Sequence, residues 1–466
     1  MLQQIGNTLG TALGVSNSEV LTAIISSYFS ILYMVTTRSL SRHSWLSERS
    51  WFRFLSGNYT WINAFVALFA QFSYEVSERY ILGFDETMQA KSRYSTYGID
   101  RFYNSIIGIV QRGIGFFGCS LISIDAGKSY FMGLLQIIRT PHDKARTAAI
   151  KAKKSQAKGK AKKGTSTTSA NNPQPKPKPK GHPKGAKNKP KSAENTLETA
   201  SFRTFKRLFV DVMTQIKAQL PNIQLHHIVG DSAYATLQYM ELALSEGLYL
   251  ISKVKRNTVI CFPFQYTEQQ PYTHGRPKVY GKRIDNENPP AHTLKNTTIQ
   301  DNIKTEHFQF EGYMKGIFGQ IILNILIVRT TDTTTNKTSI LIFCSNDLNL
   351  THSQLWDYYH LRYQIEFDFR DAKQHFGFAD FKNYKQNNVT NFVNLAFMMC
   401  LIAKIIIPYY RQQYGMPKLG ITDLKIIFNA RFTLKSFLND TQNDQNPIFN
   451  AEAIHNFMPK TLINAA

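Results

Sequence analysis

The stretch YYHLRYQIEFDFRDAKQHFGF, residues 358–378, carries the most informative spacing in the chain. Tyr359, Arg362, Glu366 and Lys373 stand at offsets 0, 3, 7 and 14 within it. On an α-helix, which turns by about 100° per residue, these positions fall within about 60° of one another. The spacing therefore predicts a narrow polar stripe that carries a hydroxyl, a guanidinium, a carboxylate and an ammonium group.

The simplest interpretation of this stripe is a solvated helix face with i,i+4 ion pairs, of which Glu366–Arg370 would be one. Apolar residues on the same stretch argue against it: Leu361, Ile365, Phe367 and Phe369. They predict that the helix is largely packed. A polar stripe on a packed helix needs partners, and acids elsewhere in the chain are the natural candidates.

Two isolated acids follow apolar runs that are typical of strands. Asp85 lies in ILGFDETM and Asp231 in HHIVGDSAY. A single acid at the end of a strand is most often a turn or cap residue. Together with Glu366, however, the two could converge on a pair of Mg²⁺ ions about 4 Å apart, as two-metal phosphoryl transfer requires. Carboxylate oxygens are ligands that suit Mg²⁺.

The cysteines point away from other metals. Cys119, Cys261, Cys344 and Cys400 stand far apart, without a CxxC or a Cys/His cluster. This pattern argues against a structural zinc site and a disulfide framework, and it suits a reducing cytosol.

The charge of the chain indicates a polyanionic partner, and nucleic acid is the most plausible one. The 466 residues include 55 Lys and Arg against 32 Asp and Glu, a formal charge of +23. Sixteen of these cations and no acid lie between Lys144 and Lys191, so the remaining chain carries only +7. The Pro-Lys alternation in this segment favours an extended, solvated tether.

The pattern of elements predicts an α/β core whose sequence is split. Residues 1–78 read as helical, with arginines among aromatic residues; a DNA-binding helical unit and a small bundle with solvated arginines remain open. Those arginines are Arg38, Arg42, Arg49 and Arg53. The predicted regions are an N-terminal helical DNA-binding domain (1–78), three parts of the core (79–143, 197–247 and 346–411), a basic linker (144–196), a β-rich insertion (248–345) and a C-terminal region (412–466).

No membrane segment is expected. The most hydrophobic run, Phe392 to Ile407, includes Asn394 and Lys404 and is shorter than the roughly 20 apolar residues of a membrane span. The first residues lack the basic and apolar regions of a signal peptide. We therefore expect a buried helix and a cytoplasmic protein.

The spacing Y-x2-R-x3-E-x6-K resembles the signature of bacterial insertion-sequence transposases of the insertion-sequence-four type. FDETMQAKSRYSTYG around Asp85 looks like the first acidic motif of that family, and GDSAY around Asp231 looks like the second. Glu366 follows Asp231 by 135 positions, and the β-rich stretch between them is similar to the β insertion of these enzymes. The resemblance runs from about Gly83 to Tyr409. It implies a ribonuclease-H-like mixed sheet flanked by helices, with a β-rich insertion and an N-terminal helical domain.

The resemblance also implies a chemistry, that of a DDE transposase that moves its element by cut-and-paste transposition. Its catalytic and metal-binding residues would be Asp85, Asp231 and Glu366, with two Mg²⁺ ions, for which Mn²⁺ could substitute. Tyr359, Arg362 and Lys373 would bind DNA phosphates. The implied partners are double-stranded DNA, as terminal inverted repeats and as target, and a second copy of the chain. The implied location is the bacterial cytoplasm, at the nucleoid when DNA is bound.

Several alternatives remain open at this stage. The first motif reads Asp85-Glu86-Thr87, where the family has a second Asp, so Asp125 after the strand SLISI competes as the first acid. We favour Asp85 because the resemblance puts that acid on the first core strand. GHPKGAKNK looks like an AT-hook-type arm with His182 in place of arginine, which predicts weakly selective phosphate binding.

Three other functional classes compete with a transposase. A Mg²⁺-dependent nuclease or a domesticated integrase-like protein would share the three acids. A DNA-binding protein without catalysis would not need them. An RNA-binding protein would explain the Lys-rich segment but not the polar stripe.

Overall fold

The computed structural model describes residues 1–104, 107–149, 152, 198–266 and 274–440. Most of the predicted linker, including His182, and the last part of the C-terminal region lie outside these residues, so the predictions made for them stay predictions. Within residues 1–78 the fold begins with five helices: α1 (Leu2–Leu13), α2 (Ser18–Ser30), α3 (Thr37–Arg42), α4 (Glu48–Leu55) and α5 (Trp61–Phe72).

Polar side chains fix where the short N-terminal helices begin. Asn17 accepts a hydrogen bond from the backbone N–H of α2, and Ser47 does the same for α4. Thr36 and Ser39 form a reciprocal capping box at the start of α3. The helical reading of residues 1–78 is therefore confirmed.

The α/β core follows, and it includes one strand, Tyr249–Val254, that the sequence assigned to the β-rich insertion. Its strands and helices are β1 (Arg79–Ala90), β2 (Asp100–Asn104), β3 (Ile109–Ser123), β4 (Lys128–Ile137), α6 (141–149), α7 (Ala200–Gln219), β5 (Gln224–Gly230), α8 (Leu237–Ser245) and β6 (Tyr249–Val254). Strand β2 was not predicted, because its sequence DRFYN is short and mostly polar.

Five of these strands form the centre of one mixed sheet, in the order β4–β3–β1–β5–β6. Strand β1 pairs antiparallel with β3 and parallel with β5, which in turn pairs parallel with β6. Helices cover both faces, which explains why β1 is buried continuously from Tyr80 to Phe84. This is the predicted α/β fold, a mixed sheet flanked by helices, as in ribonuclease-H-like transposases.

The predicted β-rich insertion extends the same sheet. It contains β7 (Ile260–Pro263), β8 (Tyr280–Arg283), β9 (Leu294–Gln300), β10 (Ile303–Met314), β11 (Leu323–Asp332) and β12 (Thr338–Ser345). Strand β12 pairs antiparallel with β6, and the order continues through β11, β10, β7 and β8. The described strands thus form one twelve-stranded sheet.

The helical block ends the described chain with α9 (His352–Leu361), α10 (Tyr363–His375), α11 (Gln386–Tyr414) and α12 (Ile421–Asp440). The prediction of one continuous helix through the polar stripe is wrong in one detail. Arg362 forms a turn between α9 and α10, with φ −52° and ψ −34°. The helix is also less packed than predicted, because Phe367 is 42% exposed.

The N-terminal helices and the C-terminal block share one hydrophobic core. Trp51 and Phe65 belong to the same cluster of buried side chains as Phe369 and Phe397. Among the described helices, α11 has the length and apolar composition to cross a membrane, yet 78% of its most apolar window is buried inside the fold. It is a core helix, as its sequence predicted.

Candidate active site

The parallel pairing of β1 with β5 brings two of the predicted acids to one edge of the sheet. Gly83 lies opposite Val229 in this pair, and each is two residues from an acid, Asp85 on β1 and Asp231 just after β5. Because parallel strands end at the same edge, the two carboxylates meet there. Glu366, on the first turn of α10, faces the same edge.

Arg362 connects two of the three acids. Its Nη1 lies 2.9 Å from Oδ2 of Asp85 and its Nη2 lies 2.8 Å from Oε1 of Glu366. The Arg362 side chain is buried, whereas Glu366 is half exposed. Burial is the largest single influence and disfavours the charged guanidinium, but Asp85, Tyr359 and the other two acids together outweigh it and raise the pKa of Arg362. The side chain is therefore a permanent cation between two carboxylates.

The three acids influence each other electrostatically. Burial is the main cause that raises the pKa of Asp85, to about 6, and repulsion from Asp231 and Glu366 adds to it. Arg362 acts in the opposite direction. Such a shift is common where carboxylates crowd together at a functional site.

Two tyrosine hydroxyls complete the hydrogen bonds of the acids. Tyr359 donates to Oδ1 of Asp231 over 3.4 Å, and Tyr234 donates to Oδ1 of Asp85 over 3.2 Å. Both phenols are buried, which raises the pKa of each. The hydroxyls are therefore protonated donors at neutral pH.

A groove of about 680 Å³ opens beside the acids. Asp85 and Glu366 lie on its wall together with three cations, Arg139, Arg370 and Lys373. Burial lowers the pKa of Lys373, the last residue of the predicted polar stripe. A groove with carboxylates at one point and cations along its wall is suited to an extended anionic chain.

The stripe residues thus divide into two groups. Tyr359 and Arg362 are 3% and 5% exposed and contact the acids, whereas Lys373 lines the groove. The ion pair considered between Glu366 and Arg370 does not form, because Glu366 pairs with Arg362. Arg370 pairs instead with Asp371.

The competing first acid, Asp125, lies elsewhere. It accepts hydrogen bonds from the backbone N–H and the guanidinium of Arg79, at the beginning of β1. Asp85 lies six residues further along the same strand. Among the residues described, Asp125 shares no contact with Asp231 or Glu366.

The donor set at the sheet edge consists of hard carboxylate oxygens, which is the chemistry that Mg²⁺ prefers. In the arrangement described, no three His, Cys, Asp or Glu side chains stand close enough to hold a metal ion. Arg362 instead neutralises Asp85 and Glu366 directly. The carboxylate oxygens are the type of ligand that a divalent cation needs. Binding of such a cation would require Arg362 to release Asp85 and Glu366.

A buried network on the opposite face of α10 holds the helix that carries Glu366. Asp368 is fully buried and accepts hydrogen bonds from Lys404 on α11 and, over 2.7 Å, from Ser120 on β3. Lys404 also donates to the backbone oxygen of Ser129 on β4. The network joins α10 to the sheet and to α11.

Sequence reasoning missed two residues of the site. Tyr234 lies three positions after Asp231, and a 3₁₀ turn brings its hydroxyl back over the sheet edge. The GDSAY motif contained this residue, but its role depends on the turn. Arg139 follows β4, and no motif in the sequence distinguished it from other surface arginines.

The arginines of the N-terminal helices are exposed, as either interpretation of that region requires: Arg38, Arg42, Arg49 and Arg53. Arg38 lines a surface cleft with Arg93, Lys382 and Lys385. This part of the surface therefore carries cations from both the helical region and the core.

Comparison with known proteins finds a family whose model matches part of the chain. Residues 205–402, fewer than half of the chain, match the family model of the transposase DDE domain. The matched segment includes Asp231 and Glu366, whereas Asp85 precedes it and joins them through the pairing of β1 with β5. No curated protein matches the chain. With the mixed sheet and its flanking helices, the match supports a DDE transposase.

Proposed function

We propose that the protein is a transposase of the insertion-sequence-four type that cleaves DNA at the terminal inverted repeats of its own element and joins the ends to a target. The observation that carries this proposal is the meeting of Asp85, Asp231 and Glu366 at one sheet edge, beside a groove with cations. The match to the transposase DDE domain supports the same chemistry.

Asp85, Asp231 and Glu366 are the proposed catalytic residues and the ligands of two Mg²⁺ ions, with Mn²⁺ as a substitute. When bound, such ions activate water or a DNA 3′-hydroxyl and stabilise the leaving oxygen. Tyr234 would keep Asp85 oriented through its hydrogen bond. The buried, protonated hydroxyl of Tyr359 is unsuited to attack a phosphate, which favours a reaction without a covalent enzyme–DNA intermediate.

Lys373, with Arg139 and Arg370, would bind the phosphates of DNA in the groove. Tyr359 and Arg362 remain proposed phosphate ligands for the DNA-bound state. In that state metal ions would neutralise the carboxylates, and Arg362 would be free to donate its planar, bidentate guanidinium to a phosphate. In the conformation described here, Arg362 instead keeps the crowded carboxylates neutralised.

For the remaining parts of the chain we propose roles that agree with this function. The exposed arginines of residues 1–78 favour a DNA-binding role for the N-terminal helices. The basic linker 144–196 would add salt-sensitive affinity that does not depend on DNA sequence. A homodimer that brings two element ends together, in the bacterial cytoplasm, is the expected assembly.

The acids are tested with the Glu366→Gln variant. The probe is a labelled duplex that carries the DNA flanking the coding region. We expect the variant to shift this duplex in a gel as the wild type does, but to lose Mg²⁺-dependent cleavage. Glu311→Gln, which changes an exposed glutamate on β10, is the matched control and should cleave normally. Cleavage by Glu366→Gln at the wild-type rate would refute the assignment.

The groove is tested by the salt dependence of DNA binding. Lys373→Ala should weaken binding of the same duplex and reduce the slope of log K against log salt by about 1, the effect of one lost phosphate contact. Lys337→Ala removes an exposed cation from the turn between β11 and β12 and should leave the slope unchanged. An unchanged slope for Lys373→Ala would contradict its proposed role.

Strand transfer separates a transposase from a nuclease. The wild-type protein should join cleaved, labelled ends to a supercoiled plasmid. Cleavage without joining would favour the Mg²⁺-dependent nuclease instead.

A further inference from the structure

The hairpin of β2 and β3 carries an unusual combination of side chains on one face. Arg101 lies directly opposite Arg112, and Tyr103 lies directly opposite Val110. The two pairs are two residues apart, so all four side chains share one face of the hairpin. We call this the hairpin face.

The hairpin face is open to solvent at its apolar end. Tyr103 is 66% exposed and Val110 is 56% exposed, and the neighbouring Ile107 and Ile109 are about half exposed. Single exposed apolar residues are ordinary, but a cluster at the end of a hairpin is typical of a binding surface.

The charges on the hairpin face are unbalanced. Like charges directly opposite each other destabilise a strand pair. Yet neither Arg101 nor Arg112 forms an ion pair with any described acid. The Arg112 guanidinium lies flat on the ring of Tyr94, 3.6 Å from its centre. The face therefore presents two cations that an anionic partner would neutralise.

The hairpin adjoins the catalytic groove. Tyr103 and Asn104 line the groove that also contains Glu366 and Lys373. Arg139, on the wall of that groove, donates a hydrogen bond to the backbone oxygen of Arg101 over 2.9 Å. A DNA backbone that follows the groove would thus continue towards the hairpin.

We propose that the hairpin face binds the double-stranded DNA next to the cleavage point. Arg101 and Arg112 contact phosphates, and Tyr103 and Val110 pack against sugars and base edges, as apolar side chains do in minor grooves. This inference rests on the proposed function, because that function supplies the DNA in the groove.

A second copy of the chain suits this surface less well. Within the described sheet, β2 is hydrogen-bonded to β3 alone and is an edge strand. Pairing with a copy of itself would bring arginines against arginines in a symmetric contact. Charged edge strands are typical of sheets that avoid such pairing.

The test measures binding of the flanking-DNA duplex by fluorescence anisotropy at several salt concentrations, in the non-cleaving Glu366→Gln background. Arg101→Ala and Arg112→Ala together should reduce the slope of log K against log salt by about 2. Tyr103→Ala should weaken binding several-fold at an unchanged slope, because it removes an apolar contact. Lys295→Ala and Ile299→Ala, on the exposed edge strand β9, are the matched controls and should have no effect.

Unchanged binding by the hairpin variants would overturn the inference, and so would equal losses in the β9 controls. A change in oligomeric state without a change in DNA affinity would also overturn it and would indicate a contact between copies. Failure of the proposed function is recognised separately, by the absence of Mg²⁺-dependent cleavage in the wild-type protein.

Discussion

Arg362 Nη1 lies 2.9 Å from Oδ2 of Asp85, although 277 residues separate the two in the chain. The pair is largely buried, and the same guanidinium also binds Glu366. One cation thus links an acid on the first core strand, β1, to an acid on the helix α10. Changes to Arg362, to the helix α10 or to the strands should therefore alter stability or cleavage.

Removal of the bridging cation should destabilise the metal-free protein. Arg362→Ala leaves Asp85 buried without its counter-charge, which typically costs about 3 kcal/mol of unfolding free energy. Addition of Mg²⁺ should restore part of this loss, because an ion that binds only the folded state stabilises it. Urea denaturation with and without Mg²⁺ measures both effects.

Arg370→Ala is the matched control, since the Arg370 side chain is about half exposed and pairs with Asp371 rather than with the three acids. We expect a change of less than about 0.5 kcal/mol for this variant. If Mg²⁺ stabilises Arg362→Ala no more than it stabilises the wild type, the carboxylates are not its binding site.

The buried pair of Asp368 and Lys404 should position α10. Asp368→Asn leaves the Lys404 ammonium without a carboxylate and should cost about 3 kcal/mol of unfolding free energy. We also expect slower cleavage at unchanged DNA affinity, because Glu366 lies on the same helix. Denaturation, cleavage rates and gel shifts on one protein preparation check these effects.

The double variant Asp368→Leu/Lys404→Met distinguishes positioning from charge. An apolar pair of similar volume is often as stable as a buried ion pair. Recovery of stability together with cleavage would support a positioning role. Recovery of stability without cleavage would show that the polar network itself is required.

His227 should make stability depend on pH. Its Nε2 lies 2.8 Å from Oδ2 of Asp347, and burial lowers the pKa of the imidazole despite that partner. The unfolded chain, with a His pKa of about 6.5, then binds the proton more readily than the folded one. The unfolding free energy should therefore fall as the pH drops below about 6.5.

The His227→Gln variant should flatten this dependence, as measured by urea denaturation between neutral and mildly acidic pH. The adjacent His226 is exposed, so His226→Gln should retain most of the slope. An equally steep slope in His227→Gln would assign the pH dependence to other groups.

Much of the fold could be predicted from local patterns. Apolar runs predicted β1 and β5, which precede Asp85 and Asp231, and the hydrophobic run Phe392 to Ile407 predicted the buried helix α11. The one-residue interruption at Arg362 could not be predicted, because Arg362 keeps helical backbone angles and no local signal marks it. Its guanidinium turns towards the acids at the sheet edge, and the local sequence contains no Gly or Pro that would signal a helix end.

The sequence nominated residues for the candidate site, but it did not indicate which of them contact one another. The family resemblance implied that Tyr359, Arg362 and Lys373 share one role towards DNA. The structure instead separates Lys373, in the groove, from the other two, which contact acids. Which acid Tyr359 or Arg362 contacts depends on the register between β1 and β5. That register cannot be read from a single sequence.

The most direct test of the central claim asks whether Asp85 or Asp125 is the first catalytic acid. The Mg²⁺-dependent cleavage rate of the flanking-DNA duplex is compared for the wild type, Asp85→Asn and Asp125→Asn. Asp125 is bound to Arg79 at the far end of β1, so Asp125→Asn should cleave at nearly the wild-type rate. Asp85→Asn should bind the duplex and leave it uncut. Cleavage by Asp85→Asn, or its loss in Asp125→Asn alone, would contradict the account.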